Sequence, residues 1–331
     1  MMGCRQASVV PPFERTLIVR DYIQMTAFHE FELIEWIRSQ KGMSHTNLLG
    51  IGDDTAILQP PAHSELLLAT DMLMEGAHFT FPPATPELAG RKALAVNLSD
   101  IAAMGGSPHS ALVSLALPRS RGSKFAKSVM QGIMELAAEF QTQLAGGDTN
   151  SWDGPLVINV AIIGTADQSH SIKRSGAQPG DWIFVTGALG GSLESHHLTF
   201  QPRVREAVAL METVTIKSMI DVSDGLASDL QHILAESDVG AVIQSKQVPI
   251  SPRVSSELTD AERLQKALSD GEDFELLFTV SAEQGQRLRD QNPLSIPLTH
   301  IGEITAGQGA LLQQTDGSTT PLKNTGWKHQ L

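Results

Sequence analysis

Five aspartate-bearing segments constrain this chain more than any other feature: GIGDD at 50–54, ATD at 69–71, NLSD at 97–100, GGD at 146–148 and DVSDG at 221–225. Each aspartate stands beside glycine or at the end of an apolar run, without the flanking charges of a solvated acidic face. Carboxylates gathered in one place repel one another, and cations between them relieve that repulsion. The chain therefore reads first as a binder of hard divalent metals, and metals in such number usually accompany phosphates.

At 331 residues and 41% hydrophobic, the chain is long enough for more than one core, and two domains are expected. The net charge of -13, with no run of Lys or Arg, gives no basic surface for nucleic acid or anionic lipid. One cysteine, Cys4, excludes an internal disulfide and any cysteine-built metal site, which suits a cytoplasmic protein. The longest apolar stretch, around Leu156 to Gly164, falls far short of the roughly 20 residues that span a bilayer. Residues 1–24 scatter Arg5, Glu14, Arg15, Arg20 and Asp21 among apolar residues, so they lack a signal peptide's apolar segment and read as a disordered tail.

From Met25 onward the pattern becomes regular. Phe28, Phe31, Ile34 and Ile37 recur at helical spacing; a buried strand over 66–70 is expected to deliver Asp71 at its end. In a helix over 88–104, Ala93, Asn97, Asp100 and Met104 share one face, so Asn97 and Asp100 lie on it together. Phe125, Val129, Ile133, Leu136, Phe140 and Leu144 predict a long amphipathic helix that Gly146–Gly147 ends, presenting Asp148. Residues 25–166 thus form an N-terminal domain, a sheet covered on one face by helices. Residues 167–331 alternate strands and helices as a C-terminal α/β domain, so the fold class is α/β or α+β. Acid-bearing turns in both halves put the site between the domains.

Magnesium takes one or two carboxylates together with water and phosphate oxygens, so several ions on a nucleoside triphosphate need several dispersed acids. Asp54, Asp71, Asp100, Asp148, Asp221 and Asp224 supply six. Each alone also fits a turn or an N-cap, because an aspartate bonds nearby backbone N–H groups, and Asp224 is placed to cap its helix. No P-loop, no dinucleotide-binding GxGxxG after a strand and no protein-kinase motif set occurs. A nucleotide would then be held through metals, glycine backbone and few cations, of which Arg174 in KRSG is the best placed.

In order along the chain, GIGDDTA (50–56), TDMLMEGAHF (70–79), KALAVNLSDIAAMGGSP (92–108), AGGDTN (145–150), KRSGAQPGDWIFVTGALG (173–190), DVSDGLASDL (221–230) and GEDFELLF (271–278) resemble the thiamine-monophosphate kinase family. The resemblance runs from about residue 28 to the C-terminus. It implies an N-terminal sheet that pairs with a second protomer's in a dimer barrel. It also implies transfer of the ATP γ-phosphoryl group to thiamine monophosphate, giving thiamine diphosphate and ADP. Carried over residue by residue, it makes Asp54, Thr70, Asp71, Asp100, Asp148, Asp221 and Asp224 magnesium ligands, with Asp71, Asp100 and Asp148 acting in catalysis through the metal. Gly147, Asp148, Arg174 and Ser223 become ATP contacts, and His78, Glu272 and Trp327 substrate contacts. Two positions depart from the family pattern. Ala69 stands where Ser or Thr is common, so only its backbone could reach a metal, and Gln131 stands where an aromatic packs against adenine.

The acceptor sets the expected mechanism. A phosphate monoester has a second pKa of about 6 and is largely a dianion at neutral pH, so no strong general base is required. The obstacle is repulsion from the ATP phosphates, which clustered Mg²⁺ relieves while aligning donor and acceptor, and direct transfer without a phosphoenzyme is expected. Two alternatives remain at this level: a related ATP-using synthetase that releases ADP and phosphate, and a non-catalytic binder of thiamine phosphates.

Overall fold

The chain was analysed as a computed structural model, which describes residues 30–40, 48–49, 57–58, 61–62, 64–167, 171–323 and 326. Asp54, Trp327 and the segment 1–24 lie outside the described residues. The first described element is α1 (Glu30–Ser39), followed by two short antiparallel strands, β1 (Leu48–Leu49) and β2 (Ile57–Leu58). The first large unit then runs β3 (Ser64–Met74), α2 (Pro86–Ala103), β4 (Ser107–Pro118), α3 (Gly122–Glu139), β5 (Gln143–Trp152) and β6 (Val157–Asp167). Its four strands lie in the order β3-β6-β4-β5, antiparallel except for the parallel pair β4 and β5.

Helix α2 decides where the site forms. Thr85 caps it by accepting from Leu88 N, and Pro86 opens it, where a missing N–H costs nothing. Thirteen of its 18 residues are buried, since it packs against β3, β6, α3 and the second domain at once. A helix enclosed on every side is apolar all round, so its few polar residues need partners. Gly90 and Gly132 let α2 and α3 touch through backbone: a Cβ at Gly90 would stand 2.0 Å from Val129 O, and one at Gly132 1.8 Å from Glu87 O.

The second domain runs β7 (Trp182–Thr186), α4 (Val204–Thr213), β8 (Ile216–Asp221), α5 (Leu226–Ser237), β9 (Gly240–Gln244), α6 (Asp260–Ser269), β10 (Leu276–Val280), α7 (Ala282–Asp290), β11 (Leu298–Thr305), β12 (Gly309–Gln313) and β13 (Thr319–Pro321). Its seven strands are ordered β13-β12-β9-β11-β7-β10-β8, all antiparallel neighbours except β12 with β9. Alternate residues of β7 enter two different cores. Phe184 joins Phe278 and the α2–α3 side, while Ile183 and Val185 join Leu226, Leu230 and Ile233 of α5. One continuous apolar core therefore ties the first domain to one face of the second domain's sheet.

Three expectations from the sequence are corrected. Asp71 lies inside the 11-residue β3 rather than at the end of a short buried strand, and β3 alternates instead of being buried throughout. The helix over 125–144 ends at Glu139, because Gln141 takes φ 53 and reverses the chain. Gly146 and Gly147 consequently belong to β5, not to a helix end. A bulge at that point presses Gly147 against β4, where a Cβ would meet Val113 O at 1.8 Å. Finally, Asp224 does not occupy the N-cap of α5, which is Gly225.

Candidate functional site

The four-stranded sheet has one covered and one open face. Odd-numbered β3 residues turn toward α2, and this periodicity carries Asp71 to Asp100 on that helix. Asp221, the last residue of β8, arrives from the other domain. Ser99 of α2 donates to Asp221 Oδ2 at 2.6 Å. The three carboxylates form one buried to half-buried group across the domain boundary.

Around this group lies a cleft of about 520 Å³, lined by Thr70, Asp71, Met72, Leu73, Met74, Ala77, His78, Val96, Asp100, Leu193, Asp221, Ser223, Asp224, Asp270, Glu272 and Phe274. Eight residues singled out from the sequence are among them: Thr70, Asp71, His78, Asp100, Asp221, Ser223, Asp224 and Glu272. Thr70 is fixed on the open face, donating to Val160 O at 3.1 Å and accepting from Asn159 Nδ2 at 3.1 Å. Exposed Arg174 is near enough to Asp100 and Asp221 to favour their ionised forms.

Burial, then repulsion from Asp221 and Asp71, pushes the Asp100 carboxyl up to about 8. Burial also raises Asp71, against the bond it shares with Asp100, and raises Asp221, against the Ser99 bond. Three acids are thus pushed toward protonation in a cleft that opens to solvent, an arrangement that a hard cation would reverse. Among the described residues, no three His, Cys, Asp or Glu side chains already form a closed cage around one point. Magnesium suits such a site better than a metal bound by protein alone, because it keeps waters and takes phosphate oxygens beside one or two carboxylates.

The opposite wall is built by the GEDFEL segment. Glu272 and Phe274 take φ of 57 and 50, a left-handed region that side chains rarely occupy, and the segment is held there by backbone bonds from Glu272 N to Ser223 O and from Phe274 N to Val222 O. Its three acids go to three different places. Glu272 Oε2 meets Lys92 Nζ in a short ion pair. Both Asp273 oxygens accept from Gly190 N, and Ser192 adds a short bond. Glu275 is held by Arg203 and by Thr186 Oγ1 at 2.6 Å. Burial acts to raise the Glu272 carboxyl, but His197 and the Lys92 ammonium outweigh it and hold the group below its ordinary value. In the same cleft, Met74 N donates to His78 Nδ1 at 3.0 Å and fixes that ring.

Other predicted residues stand elsewhere. Reading across the sheet, Asp71 pairs with Val160, Val160 with Val113, and Val113 with Gly147, so Gly147 lies level with Asp71 but three strands away, roughly 14 Å. Asp148, exposed beside it, sits in the row of Met72 on the open face and accepts from Asn150 Nδ2 at 3.0 Å. Gln131 bonds Glu135 on α3 and does not line the cleft. Ala69 is half-buried in β3. Asn97 bonds back to Ala93 O on its own helix and does not pair with Asp100.

Two residues were missed. Lys92 is fully buried against Glu272, and Asp229, 2% exposed on α5, accepts from Asp224 N at 3.0 Å to hold the DVSDG loop. Burial and the nearby Asp221 and Asp224 push Asp229 up to about 8. The available signal was their setting: a lysine inside an otherwise apolar helix, and an aspartate one turn beyond an acid-bearing loop.

Residues 52–166 match the AIR synthase related protein N-terminal domain, and residues 178–313 its C-terminal domain. Thiamine-monophosphate kinase of Rhodopirellula baltica is 39% identical over 289 residues, 85% of this chain and 90% of the relative. The solved thiamine-monophosphate kinase of Stenotrophomonas maltophilia K279a superposes with a TM-score of 0.77 at 35% identity, covering 88% of this chain and 98% of that one. AaThiL complexed with AMPPCP and TMP gives a TM-score of 0.70 at 29% identity, covering 92% and 97%.

Proposed function

The chain belongs to the thiamine-monophosphate kinase family, and from that premise we propose that it transfers the γ-phosphoryl group of ATP to thiamine monophosphate, yielding thiamine diphosphate and ADP. The observation that carries this reading is the single cleft where Thr70, Asp71, Asp100, Asp221, Ser223 and Asp224 face His78 and Glu272. The AaThiL complex with an ATP analogue and TMP supports it, since this chain matches nearly the whole of that protein.

Asp71, Asp100, Asp221 and Asp224, with Asp54 and Thr70, would hold Mg²⁺, and Asp148 would join them from β5. When bound, the metal ions neutralise phosphate charge and align donor with acceptor. The chain's own groups do the rest. Ser223 and Arg174 orient the nucleotide at the acid cluster, together with Gly147 and with Gln131 in the adenine position. His78 and Glu272, with Trp327, hold the acceptor opposite. The acceptor phosphate is a dianion at neutral pH, so no side chain need remove a proton, and the transfer is direct and in line.

The protein acts as a homodimer joined through the open sheet face. Leu66, Leu68, Met72 and Met74 are 44, 73, 55 and 41% exposed along one side of β3, and Leu112 and Trp152 extend the apolar surface across β4 and β5. Apolar area of that extent, between edge strands β3 and β5 that have no second strand partner among the described residues, is a surface that association covers. Closing two such sheets into a barrel sets β5 of one copy beside β3 of the other. Gly147 and Asp148, remote from Asp71 within one chain, would then complete the site of the second copy. An ATP-consuming step on thiamine monophosphate fits a cytoplasmic setting, and no described helix is long and apolar enough to cross a membrane.

Incubating purified protein with Mg-ATP and thiamine monophosphate, and separating products by chromatography, tests the reaction. Thiamine diphosphate and ADP in equal amounts are expected. ADP with free phosphate and no diphosphate would replace this reading with that of a related synthetase.

A further inference from the structure

We propose that Lys92 is a positioning residue for the acceptor half of the cleft, one ammonium that fixes both the Glu272 carboxylate and the His78 backbone. The inference rests on the reading of Glu272 and His78 as contacts of thiamine monophosphate.

Lys92 is 0% exposed in the middle of α2, and among the described residues it is one of the large side chains that are fully buried. An ammonium has three donors and no acceptor, and burial is tolerated only where all three find partners. Lys92 Nζ meets three separate segments: it donates to His78 O at 2.8 Å and to Glu272 Oε2 in a short contact, and it stands 2.8 Å from His197 Nδ1, which accepts in the tautomer that leaves that nitrogen unprotonated. His197 Nδ1 lies 3.3 Å from the same Glu272 oxygen.

The three segments belong to both domains. His78 is in the turn that follows β3, His197 in the short turn His196–Leu198, and Glu272 in the left-handed stretch before β10. Two of them line the cleft, and Lys92 itself does not. The ammonium therefore approaches from behind the cleft wall, holding the wall without contacting whatever fills the space. Glu272 lies in a backbone conformation unfavourable to its side chain, so its place depends on such partners. The pairing has a chemical consequence too. A carboxylate already matched by an internal cation adds little net charge to the cleft, so Glu272 serves the acceptor mainly as a fixed hydrogen-bond acceptor.

Steady-state kinetics of the full-length variants Lys92→Met, Glu272→Gln and the double variant test this. Each substrate is varied in turn, and thermal denaturation checks the fold. Lys92→Met should raise KM for thiamine monophosphate by about tenfold or more while KM for ATP stays within about twofold. An unchanged KM for thiamine monophosphate in Lys92→Met, beside a raised one in Glu272→Gln, overturns the role of Lys92 and leaves the reading of Glu272 standing. An unchanged KM in Glu272→Gln overturns that reading and the inference with it. The double variant removes both buried charges and keeps the test readable where Lys92→Met alone does not fold. Relative to Glu272→Gln, a further rise confined to KM for thiamine monophosphate supports the proposal, and any other change makes Lys92 merely structural and overturns it.

Discussion

Ser99 and Asp221 meet across the domain boundary: the hydroxyl in the middle of α2 donates to the carboxylate at the end of β8 at 2.6 Å, and both residues are buried. The bond does two things at once. It partly offsets the burial that drives Asp221 toward protonation, and it holds the acid cluster's two halves together. Ser99→Ala should therefore cost about 1–3 kcal/mol of stability, the penalty of leaving a buried acceptor without its donor. Urea denaturation measures this, and a change below about 0.5 kcal/mol, the usual range for surface substitutions, would mean that the bond is dispensable.

The acid cluster also fixes a pH dependence. Asp71, Asp100 and Asp221 all have folded-state pKa values above those of exposed carboxylates, with Asp100 at about 8. A raised folded pKa means that the folded chain binds more protons than the unfolded one. The stability these three acids contribute is then full below about pH 4, their unfolded value, and is lost as pH rises through about 8 for Asp100. With EDTA present, the Tm of the wild type should drop more between pH 5 and pH 8 than that of Asp100→Asn. Added Mg²⁺ should raise the wild-type Tm more at pH 8 than at pH 5, because ligation needs ionised carboxylates. Parallel pH curves for the two proteins would contradict the assignment of Asp100.

What the sequence could and could not reveal follows from the range of each interaction. Asp71, Asp100, Asp221 and Asp224, which line one cleft, stood out because their signals are local: a nearby glycine in DVSDG, or an apolar run that ends in the acid at Asp71 and Asp100. The long helix through Ile133 was legible from its period, but its end was not. Leu144 continues the apolar spacing although the chain has already reversed at Gln141. Period alone cannot separate the last turn of a helix from the first residues of a buried strand. Lys92 was invisible for another reason, since its partner Glu272 lies 180 residues away and nothing in either neighbourhood encodes the pairing.

Within GEDFEL, the partners of Asp273 and Glu275 explain why these two residues are acids at all. Glu275 accepts from Arg203 Nε at 2.7 Å and Nη2 at 2.6 Å, a forked pair with side chains 14 and 4% exposed. Arg203→Ala would leave that carboxylate buried beside Thr186 alone and should cost about 3–5 kcal/mol. Arg203→Ala together with Glu275→Gln should recover part of the loss, since no uncompensated charge remains. Chemical denaturation of the single and double variants decides between this and a surface pair of little worth, for which both losses would be small.

Asp148 allows the sharpest test of the proposal that two copies share a site. Within one chain its row lies three strands from Asp71, yet the role proposed for it needs it beside the phosphates. Asp100→Asn and Asp148→Asn should each abolish turnover while the fold survives. Co-expressing the two variants under different affinity tags isolates the mixed dimer. If Asp148 acts in the second copy's site, the mixed dimer has one site carrying both substitutions and one carrying neither, so about half of wild-type activity per dimer returns. If Asp148 acts within its own chain, each site carries one substitution and the mixed dimer stays inactive. An inactive mixed dimer would place Asp148 in its own protomer's site and require β5 to approach β3 within one chain; a monomer in solution scattering would remove the shared site altogether.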